Sequence, residues 1–177
     1  MIKITKGDVL ESKVDGKKVI VQSCNDLGIM GSGIAKSILD KWPVGEIQFV
    51  LVEKDILICN IIGQKGLGFE EIDGVKLPAV RYFAIFEALL RLRAKISKWS
   101  ANDKKGENYN PVGKVSIHMP LIGAGLALGT INQTYQTIWD VFGTSDYDCY
   151  IYAFSHDDMT DLRRSAINLG KKFEEIS

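Results

Sequence analysis

The sequence predicts a single α/β domain of 177 residues, built on a mostly parallel sheet with helices on both faces. Two observations support this fold class. Short apolar runs typical of buried strands alternate along the chain with segments whose apolar residues recur at helical spacing. In addition, two glycine-rich segments each follow a strand-like run and precede a helix-like run. Loops at the carboxyl edge of a parallel sheet have this arrangement.

The apolar pattern predicts the elements in chain order. Strands are predicted at residues 2–5, 18–22, 48–52, 56–62, 115–119 and 147–154. Helices are predicted at residues 33–41, 79–99 and 131–142, the first ending before Pro43 and the third capped by Thr130. In the second helix, one stripe carries Phe83, Phe86, Leu90 and Ala94. Residues 63–74 and 100–113 are predicted to be loops, because glycine or polar residues dominate them.

A final helix is predicted at about residues 157–176, with Asp157 as its cap. Its apolar residues recur three or four positions apart, at Met159, Leu162, Ala166, Leu169, Phe173 and Ile176. The simplest interpretation is that this stripe packs on the domain. A dimer seam is the alternative, because the spacing is close to a heptad repeat.

The composition excludes several classes of partner. The 22 basic and 22 acidic residues give a formal net charge of zero, whereas binding to a long nucleic acid needs a basic surface. No apolar run reaches the roughly 20 residues of a membrane span, and the N-terminus has no apolar signal region. The three cysteines have no paired spacing and are expected to be reduced thiols in the cytoplasm, which would be the host cytoplasm if the source is viral.

The first glycine-rich loop lies in the stretch from Ser23 to Lys36, with glycines at positions 28, 31 and 33. It follows the predicted strand at residues 18–22 and leads into a helix. Its glycines allow the backbone to approach a ligand closely, and the helix start offers unpaired N–H groups and a partial positive charge. The loop therefore predicts a phosphate-bearing ligand such as a nucleotide. It matches neither the Walker pattern, because no Gly-Lys-Ser/Thr follows, nor the dinucleotide fingerprint.

The second glycine-rich loop, residues 120–129, lies between a predicted strand and the helix capped by Thr130. Two such loops at one sheet edge could hold a diphosphate between them. Together with Gly7-Asp8-Val9 and Asn60-Ile61-Ile62-Gly63-Gln64, they give the chain a resemblance to the macro domain, an ADP-ribose-binding module. The resemblance covers about residues 2–154 and is closest to the microbial and phage branch related to ADP-ribose-1″-phosphate phosphatases and terminal ADP-ribose glycohydrolases.

The resemblance implies a three-layer α/β/α fold with an added C-terminal helix, and a role for each motif. Asp8 would accept a hydrogen bond from the adenine amino group, Val9 would offer its backbone N–H, and Phe154 would stack on adenine. Asn25 would hold the distal ribose and is the catalytic candidate, with Ser23 beside it. The phosphate loops would consist of Gly31, Ser32, Gly33 and Ile34 on one side and Ile122, Gly123, Ala124, Gly125, Leu126 and Ala127 on the other.

The activity implied is hydrolysis of ADP-ribose-1″-phosphate or of an ADP-ribosyl linkage, by a water held against the distal ribose, with no metal or cofactor. The partners implied are ADP-ribose, ADP-ribose-1″-phosphate and ADP-ribosylated macromolecules. The covalent-lysine mechanism of terminal glycohydrolases does not transfer. Ala127 stands where an aspartate is needed, and Val52 stands near the lysine position, with Lys54 the nearby candidate. Gln22 likewise replaces the histidine of the fungal phosphatase branch.

A non-catalytic ADP-ribose reader or nucleotide-metabolite sink is therefore the alternative function. Single residues also have plainer interpretations. Asp8 could be a turn residue, and Phe154 could be a core aromatic. Cys24 could act as a nucleophile with His118 as its base, although a cysteine beside a strand usually serves packing.

Overall fold

The computed structural model describes residues 1–26, 44–101 and 115–176. Within these ranges, eight strands form one sheet. The strands are β1 (Ile2–Lys6), β2 (Lys17–Asn25), β3 (Ile47–Glu53), β4 (Ile56–Ile72), β5 (Val75–Val80), β6 (Val115–Pro120), β7 (Asp148–Ala153) and β8 (Glu174–Ile176). The predicted helix at residues 33–41 and most of the predicted loop at residues 100–113 lie outside the described residues.

The sheet is mixed and mostly parallel, which confirms the predicted α/β class. Its strands lie in the order β3-β4-β2-β6-β7-β1-β8, and β5 pairs with β4. Strands β3 and β5 run antiparallel to β4. The other neighbouring pairs are parallel. The carboxyl ends of β2, β6, β7 and β1 therefore meet at one edge, where sheets of this kind bind their ligands.

The helices within the described ranges all pack on one face of the sheet. They are α1 (Tyr82–Ala101), α2 (Ile131–Phe142) and α3 (His156–Asn168). Helix α1 contacts α2, and α2 contacts α3. Alternate strand residues such as Val19, Val21 and Ile117 join them in one apolar core. None of these helices is long and apolar enough to cross a membrane.

The buried stripe of α1 differs from the predicted stripe. The core-facing side consists of Ile85, Ala88, Leu89, Leu92 and Ile96. Of the predicted residues, Phe86 packs against this core, but Phe83 is 73% exposed. Helix α1 is apolar on two adjacent sides, so its periodicity did not determine which side faces the core.

The predicted loop at residues 63–74 is wrong, because strand β4 continues through it to Ile72. Its outer part pairs with β5 as a hairpin, with Phe69 opposite Pro78. The glycines that suggested a loop have other roles. Gly66 and Gly68 adopt φ values of +69° and +66° at a bulge, and Gly74 lies in the hairpin turn with φ of +78°.

The predicted C-terminal helix is too long by about two turns. Helix α3 ends at Asn168 and is capped by Ser155, not Asp157. Gly170 follows with φ of +62°, which ends the helix. Residues Glu174–Ile176 then form β8, which runs parallel to β1. Met159, Leu162 and Ala166 are buried in the domain core, which favours packing on the domain over a dimer seam.

The sheet face opposite the helices carries a buried polar cluster around His118. The ring of His118 stacks on Tyr150 with a centroid distance of 4.7 Å. Its Nε2 lies 2.7 Å from Ser116 Oγ, and its Nδ1 lies 2.9 Å from Tyr152 Oη. Burial lowers the pKa of His118 to about 4, with a smaller contribution from the positive charge of Lys18. The imidazole is therefore neutral at physiological pH.

We expect His118 to make the fold sensitive to mild acid. The unfolded chain takes up a proton near pH 6.5 while folded His118 stays neutral until about pH 4, so stability is full above pH 6.5 and falls between these values. The expected loss attributable to this residue is about 2 kcal/mol between pH 7.5 and pH 5. Urea unfolding at both pH values measures it.

Two variants test whether His118 causes this pH dependence of stability: one lacks the histidine and the other retains it. His118→Gln should lose less stability on acidification than the wild type does. His156→Gln changes the other histidine, which is exposed at the start of α3, and should follow the wild type. Equal pH dependence in wild type and His118→Gln would show that His118 does not titrate as described.

Candidate functional site

A cleft of about 440 Å³ opens at the carboxyl edge of the sheet. Its described lining comes from the ends of β2 and β6, the middle of β4 and the loop after β6. These residues are Gln22, Ser23, Cys24, Asn25, Gln64, Leu67, Pro120, Leu121, Ile122, Gly123, Gly125, Leu126 and Ala127. Its position and its glycine-rich wall are those expected of a site for a phosphate-bearing ligand.

The loop after β6 is held in shape by its own backbone. The N–H of Gly129 donates to the carbonyl oxygen of Gly123 at 2.9 Å, and the N–H of Leu128 donates to that of Gly125 at 2.9 Å. The Val80 N–H donates to the Ala127 carbonyl oxygen at 3.0 Å, which ties the loop to β5. The loop is therefore preorganised and needs little ordering to receive a ligand.

Glycine is required at two positions of this loop. Gly123 has φ of +78°, and a Cβ there would lie 2.9 Å from a Val80 methyl group. A Cβ on Gly129 would lie 2.4 Å from the carbonyl oxygen of Gly123. Gly125 is different, because a Cβ there would meet no atom of the described residues within 4 Å. Its side of the loop is open to the cleft.

The end of β2 contributes Ser23, Cys24 and Asn25. Asn25 is only 3% exposed and pairs with Gln64 after a register shift in the β2–β4 ladder. The shift is a local irregularity that re-aims the last residue of the strand. Ser23 Oγ is buried without a hydrogen-bond partner among the described residues. It sits over Gly63, where a Cβ would lie 2.4 Å from it.

The structure argues against Cys24 as a nucleophile. Burial raises its pKa to about 11, so the thiol is protonated at physiological pH. His118, the base considered for it, does not line the cleft, and its ring nitrogens contact the hydroxyl groups of Ser116 and Tyr152. Cys24 is therefore a packing residue in the wall of the cleft.

The three residues predicted for adenine lie outside this cleft. Asp8 accepts a hydrogen bond from the Leu10 N–H at 2.8 Å and caps the short 3-10 helix Val9–Glu11. It lines a separate cavity of about 430 Å³ together with Tyr150 and Tyr152. Phe154 is 85% exposed directly after β7. The N–H of Gly7 donates to the carbonyl oxygen of Ala153 at 3.0 Å, so the chain segments that lead into Asp8 and Phe154 lie side by side.

The other predicted site residues divide into three groups. Seven line the cleft together: Ser23, Asn25, Ile122, Gly123, Gly125, Leu126 and Ala127. Ala124 belongs to the same loop but is not part of the lining. Gly31, Ser32, Gly33 and Ile34 lie outside the described residues.

Sequence reasoning missed the contribution of β4. Gln64 and Leu67 line the cleft, although residues 63–74 had been predicted as a loop. Gln22 also lines it, and its side chain is fixed by an amide ladder across three strands. Gln22 Nε2 donates to Asn60 Oδ1 at 2.5 Å, and Asn60 Nδ2 donates to Gln48 Oε1 at 3.0 Å. The Asn60–Gln64 motif indicated that β4 belongs to the family pattern, but it did not predict these side-chain hydrogen bonds.

No charged side chain and no histidine occur among the described residues that line the cleft. Ala127, which the resemblance aligns with an aspartate, is buried in the wall of the cleft. Lys54 lies in the turn between β3 and β4. The carbonyl oxygen of the next residue, Asp55, accepts a hydrogen bond from the Lys18 N–H at 2.8 Å. That end of β2 is roughly 23 Å from Asn25, at about 3.3 Å per strand residue. Lys54 therefore cannot reach the cleft.

The described residues also provide no metal site. No group of three histidine, cysteine or carboxylate side chains lies together as metal ligands would. The polar groups that line the cleft are amides, a hydroxyl and backbone groups, which hold a ligand by hydrogen bonds.

Comparisons with known proteins yield structural matches only. No family model matches the sequence, and neither does any curated protein. A protein of unknown function from Bacteroides thetaiotaomicron is 29% identical and superposes with a TM-score of 0.64, over 86% of this chain and 97% of its own. A macrodomain protein from Streptomyces coelicolor is 27% identical, with a TM-score of 0.59 over 88% and 100%.

The chain has the macrodomain fold. A glycine-to-valine variant of the Oceanobacillus iheyensis macrodomain, solved with ADPR, superposes with a TM-score of 0.59 over 96% of this chain and 93% of its own. At 15% identity this third likeness concerns the fold alone. The resemblance to the macro domain family predicted from the sequence is confirmed.

Proposed function

We propose that the cleft binds ADP-ribose or a close derivative such as ADP-ribose-1″-phosphate. The observation that carries this proposal is the preorganised Ile122–Ala127 segment, which faces the end of β2 across the cleft. A loop of this shape presents backbone groups to a ligand without bulky side chains at Gly123 and Gly125. The Oceanobacillus iheyensis macrodomain, which shares this fold, was solved with ADPR.

The proposed position of the ligand extends from β2 towards β1 along the carboxyl edge of the sheet. The distal ribose lies against Asn25 and Gln64, and the diphosphate follows the loop after β6. Adenine lies where β1 and β7 end, near Asp8 and Phe154. The segment Gly31, Ser32, Gly33 and Ile34 is proposed as the opposite phosphate wall, on the resemblance alone.

The proposed activity is hydrolysis of ADP-ribose-1″-phosphate or of an ADP-ribosyl linkage. Asn25 lies in the cleft beside the proposed ribose position and is the catalytic candidate. Its amide would orient water against the distal ribose, while backbone N–H groups of the loop stabilise developing negative charge. The water oxygen forms a bond to the anomeric carbon of the distal ribose, while the bond from that carbon to the phosphate or to the modified side chain breaks. That group leaves with a proton from the water, and ADP-ribose is the other product.

A non-catalytic reader is the second candidate function. It is favoured by the absence of any carboxylate, lysine or histidine among the described residues that line the cleft. Without such a group, general acid–base assistance to the reaction is missing. Tight binding without turnover is the signature of this candidate.

One pair of assays separates the two functions. The protein is incubated with ADP-ribose-1″-phosphate and with ADP-ribosylated protein, and both phosphate and free ADP-ribose are measured. Release of either product supports the hydrolase. Tight ADP-ribose binding by calorimetry with no product from either substrate supports the reader. Absence of a calorimetric signal and of a thermal shift at millimolar ADP-ribose would contradict both.

The proposed partners are ADP-ribose, ADP-ribose-1″-phosphate and ADP-ribosylated macromolecules, and the proposed location is the cytoplasm. The three cysteines, Cys24, Cys59 and Cys149, support this location because all are buried and unpaired. Burial raises the pKa of each thiol, which keeps them unreactive.

Asp8 offers a test of the proposed adenine position. Asp8→Asn should weaken ADP-ribose binding by about tenfold, because a charged hydrogen bond to the adenine amino group becomes a neutral one. The helix cap should survive, since asparagine caps as well as aspartate does. Ribose-5-phosphate, which lacks adenine, should bind the variant and the wild type equally. Calorimetry with both ligands measures the difference.

Asp15→Asn is the matched control, because Asp15 is an exposed carboxylate between the helix Val9–Glu11 and β2 that does not line the cavity of Asp8. It should leave both affinities unchanged. Equal loss for both ligands in Asp8→Asn would show that Asp8 serves the fold and does not contact adenine.

A further inference from the structure

The cleft has a side wall that comes from an irregularity in β4. The β4–β5 ladder shifts register between Gln64 and Phe69. Within this bulge, Gly66 and Gly68 both have positive φ, at +69° and +66°. The backbone there departs from the regular strand, and Leu67, which lies between the two glycines, lines the cleft.

Asp26 fixes this bulge to the end of β2. Its Oδ1 accepts a hydrogen bond from the Gly66 N–H at 2.7 Å. Its own N–H donates to the carbonyl oxygen of Gln64 at 3.1 Å. Gln64 Nε2 in turn donates to the carbonyl oxygen of Gly66 at 3.1 Å. These three hydrogen bonds define the position of the bulge relative to Asn25.

The other side of the bulge is held by an ion-pair network. Lys65 Nζ lies 2.7 Å from Glu70 Oε1, and Glu70 also pairs with Arg81. These two cations lower the pKa of Glu70, so the carboxylate stays charged in mild acid. Lys65 therefore pairs with Glu70 within the hairpin and does not line the cleft. Leu67 is the residue of this bulge that lines it.

Leu67 and Leu126 flank the end of β2. Strand β2 lies between β4, which carries Leu67, and β6, which precedes Leu126. Leu67 is 46% exposed and Leu126 is 85% exposed, and both line the cleft. Two exposed leucines beside a buried amide leave apolar area for a ligand to cover.

We propose that Asp26 is a positioning residue that holds Leu67 against the terminal pentose of the ligand. This inference rests on the proposed function, which places the distal ribose at Asn25. Leu67 covers the apolar face of that ring and excludes water from it. The cleft thereby selects nucleoside diphosphates that carry a terminal pentose over those that end at the second phosphate.

The test compares ADP-ribose with ADP, which lacks the terminal pentose. Asp26→Ala and Leu67→Ala should each weaken ADP-ribose by about tenfold, and each should leave ADP within about twofold. Asp26→Asn keeps an oxygen acceptor for the Gly66 N–H and should retain the wild-type ratio of the two affinities. Glu71→Ala, an exposed carboxylate of the same hairpin, is the matched control and should change neither affinity.

A measurement without ligand tests the hydrogen bond itself. Hydrogen exchange at residues 65–68 should accelerate in Asp26→Ala and remain slow in Asp26→Asn, with the thermal midpoints of both close to that of the wild type. Unchanged exchange in Asp26→Ala would overturn the positioning role. So would equal weakening of ADP-ribose and ADP, which indicates a general structural effect.

The proposal can fail separately from the function on which it rests. A wild type that binds neither ligand overturns the proposed function, and with it the ligand role of Asp26. A wild type that binds both, with an unchanged affinity ratio in Asp26→Ala, overturns this inference alone.

Discussion

Replacing Gly125 with leucine is expected to lower the affinity for ADP-ribose by about a hundredfold, because the new side chain occupies ligand space at a cost of about 3 kcal/mol. The position accepts a side chain without strain. Its φ is not in the left-handed region, and within residues 1–26, 44–101 and 115–176 a Cβ there would meet nothing within 4 Å. The thermal midpoint of unfolding should therefore stay near that of the wild type. Calorimetry and thermal unfolding of the same sample measure both quantities.

Gly123 in the same loop provides the matched comparison. Gly123→Leu should lower the thermal midpoint, because φ of +78° is unfavourable for leucine and its Cβ would press on Val80. The two variants thus separate loss of ligand space from loss of loop structure. A folded Gly125→Leu protein with wild-type affinity would show that ADP-ribose does not lie along this loop.

The second large effect is expected at Asn25. If the protein hydrolyses its ligand, Asn25→Ala should lower kcat by on the order of a hundredfold while changing KM little. The reason is that an amide which orients water acts mainly in the transition state. If the protein is a reader, the substitution should weaken ADP-ribose by roughly 1 kcal/mol, the net value of one neutral hydrogen bond. Steady-state kinetics and calorimetry distinguish the two results.

Asn25 is almost completely buried, so its removal needs a structural control. Asn25→Asp retains the shape and removes the amide donors, and circular dichroism shows whether each variant is folded. Ser23→Ala changes a neighbouring cleft residue and should affect kcat less than Asn25→Ala does. An unchanged kcat in a folded Asn25→Ala protein would contradict the catalytic role.

Local sequence signals predicted the strands and the second glycine-rich loop well. The apolar runs around Val19 and Ile117 became central strands, and Thr130 caps α2 as expected. The outer half of β4 was missed because its glycines serve a bulge, which depends on pairing with β5. Strand β5 was missed as well, because its last residues, Ala79 and Val80, were predicted as the start of a helix that begins at Tyr82. Strand β8 was missed for a similar reason. Its residues Glu174 and Glu175 are polar, and they form a strand only because β1 offers them partners.

The candidate site divides in the same way. The loop after β6 and the end of β2 are each a continuous stretch of sequence. The motif in each stretch therefore predicted residues that the fold brings together in the cleft. Gln64 and Leu67 reach the cleft, and Asp26 reaches Gly66, only because β4 pairs with β2. No single segment of the sequence reveals this pairing. Asp8 illustrates a different limit. Its predicted turn role is real, because it caps the helix Val9–Glu11, and that role does not decide whether it also contacts adenine.

Strand β8 has a consequence for the behaviour of the protein at high concentration. It provides β1 with a second neighbour, so the backbone groups of β1 are not left open for another molecule to pair with. The new edge is only three residues long, and it carries two glutamates, one of which binds Arg163 of α3. A short, charged edge is a poor template for strand addition. Strand β8 therefore protects this edge of the sheet from pairing with another molecule.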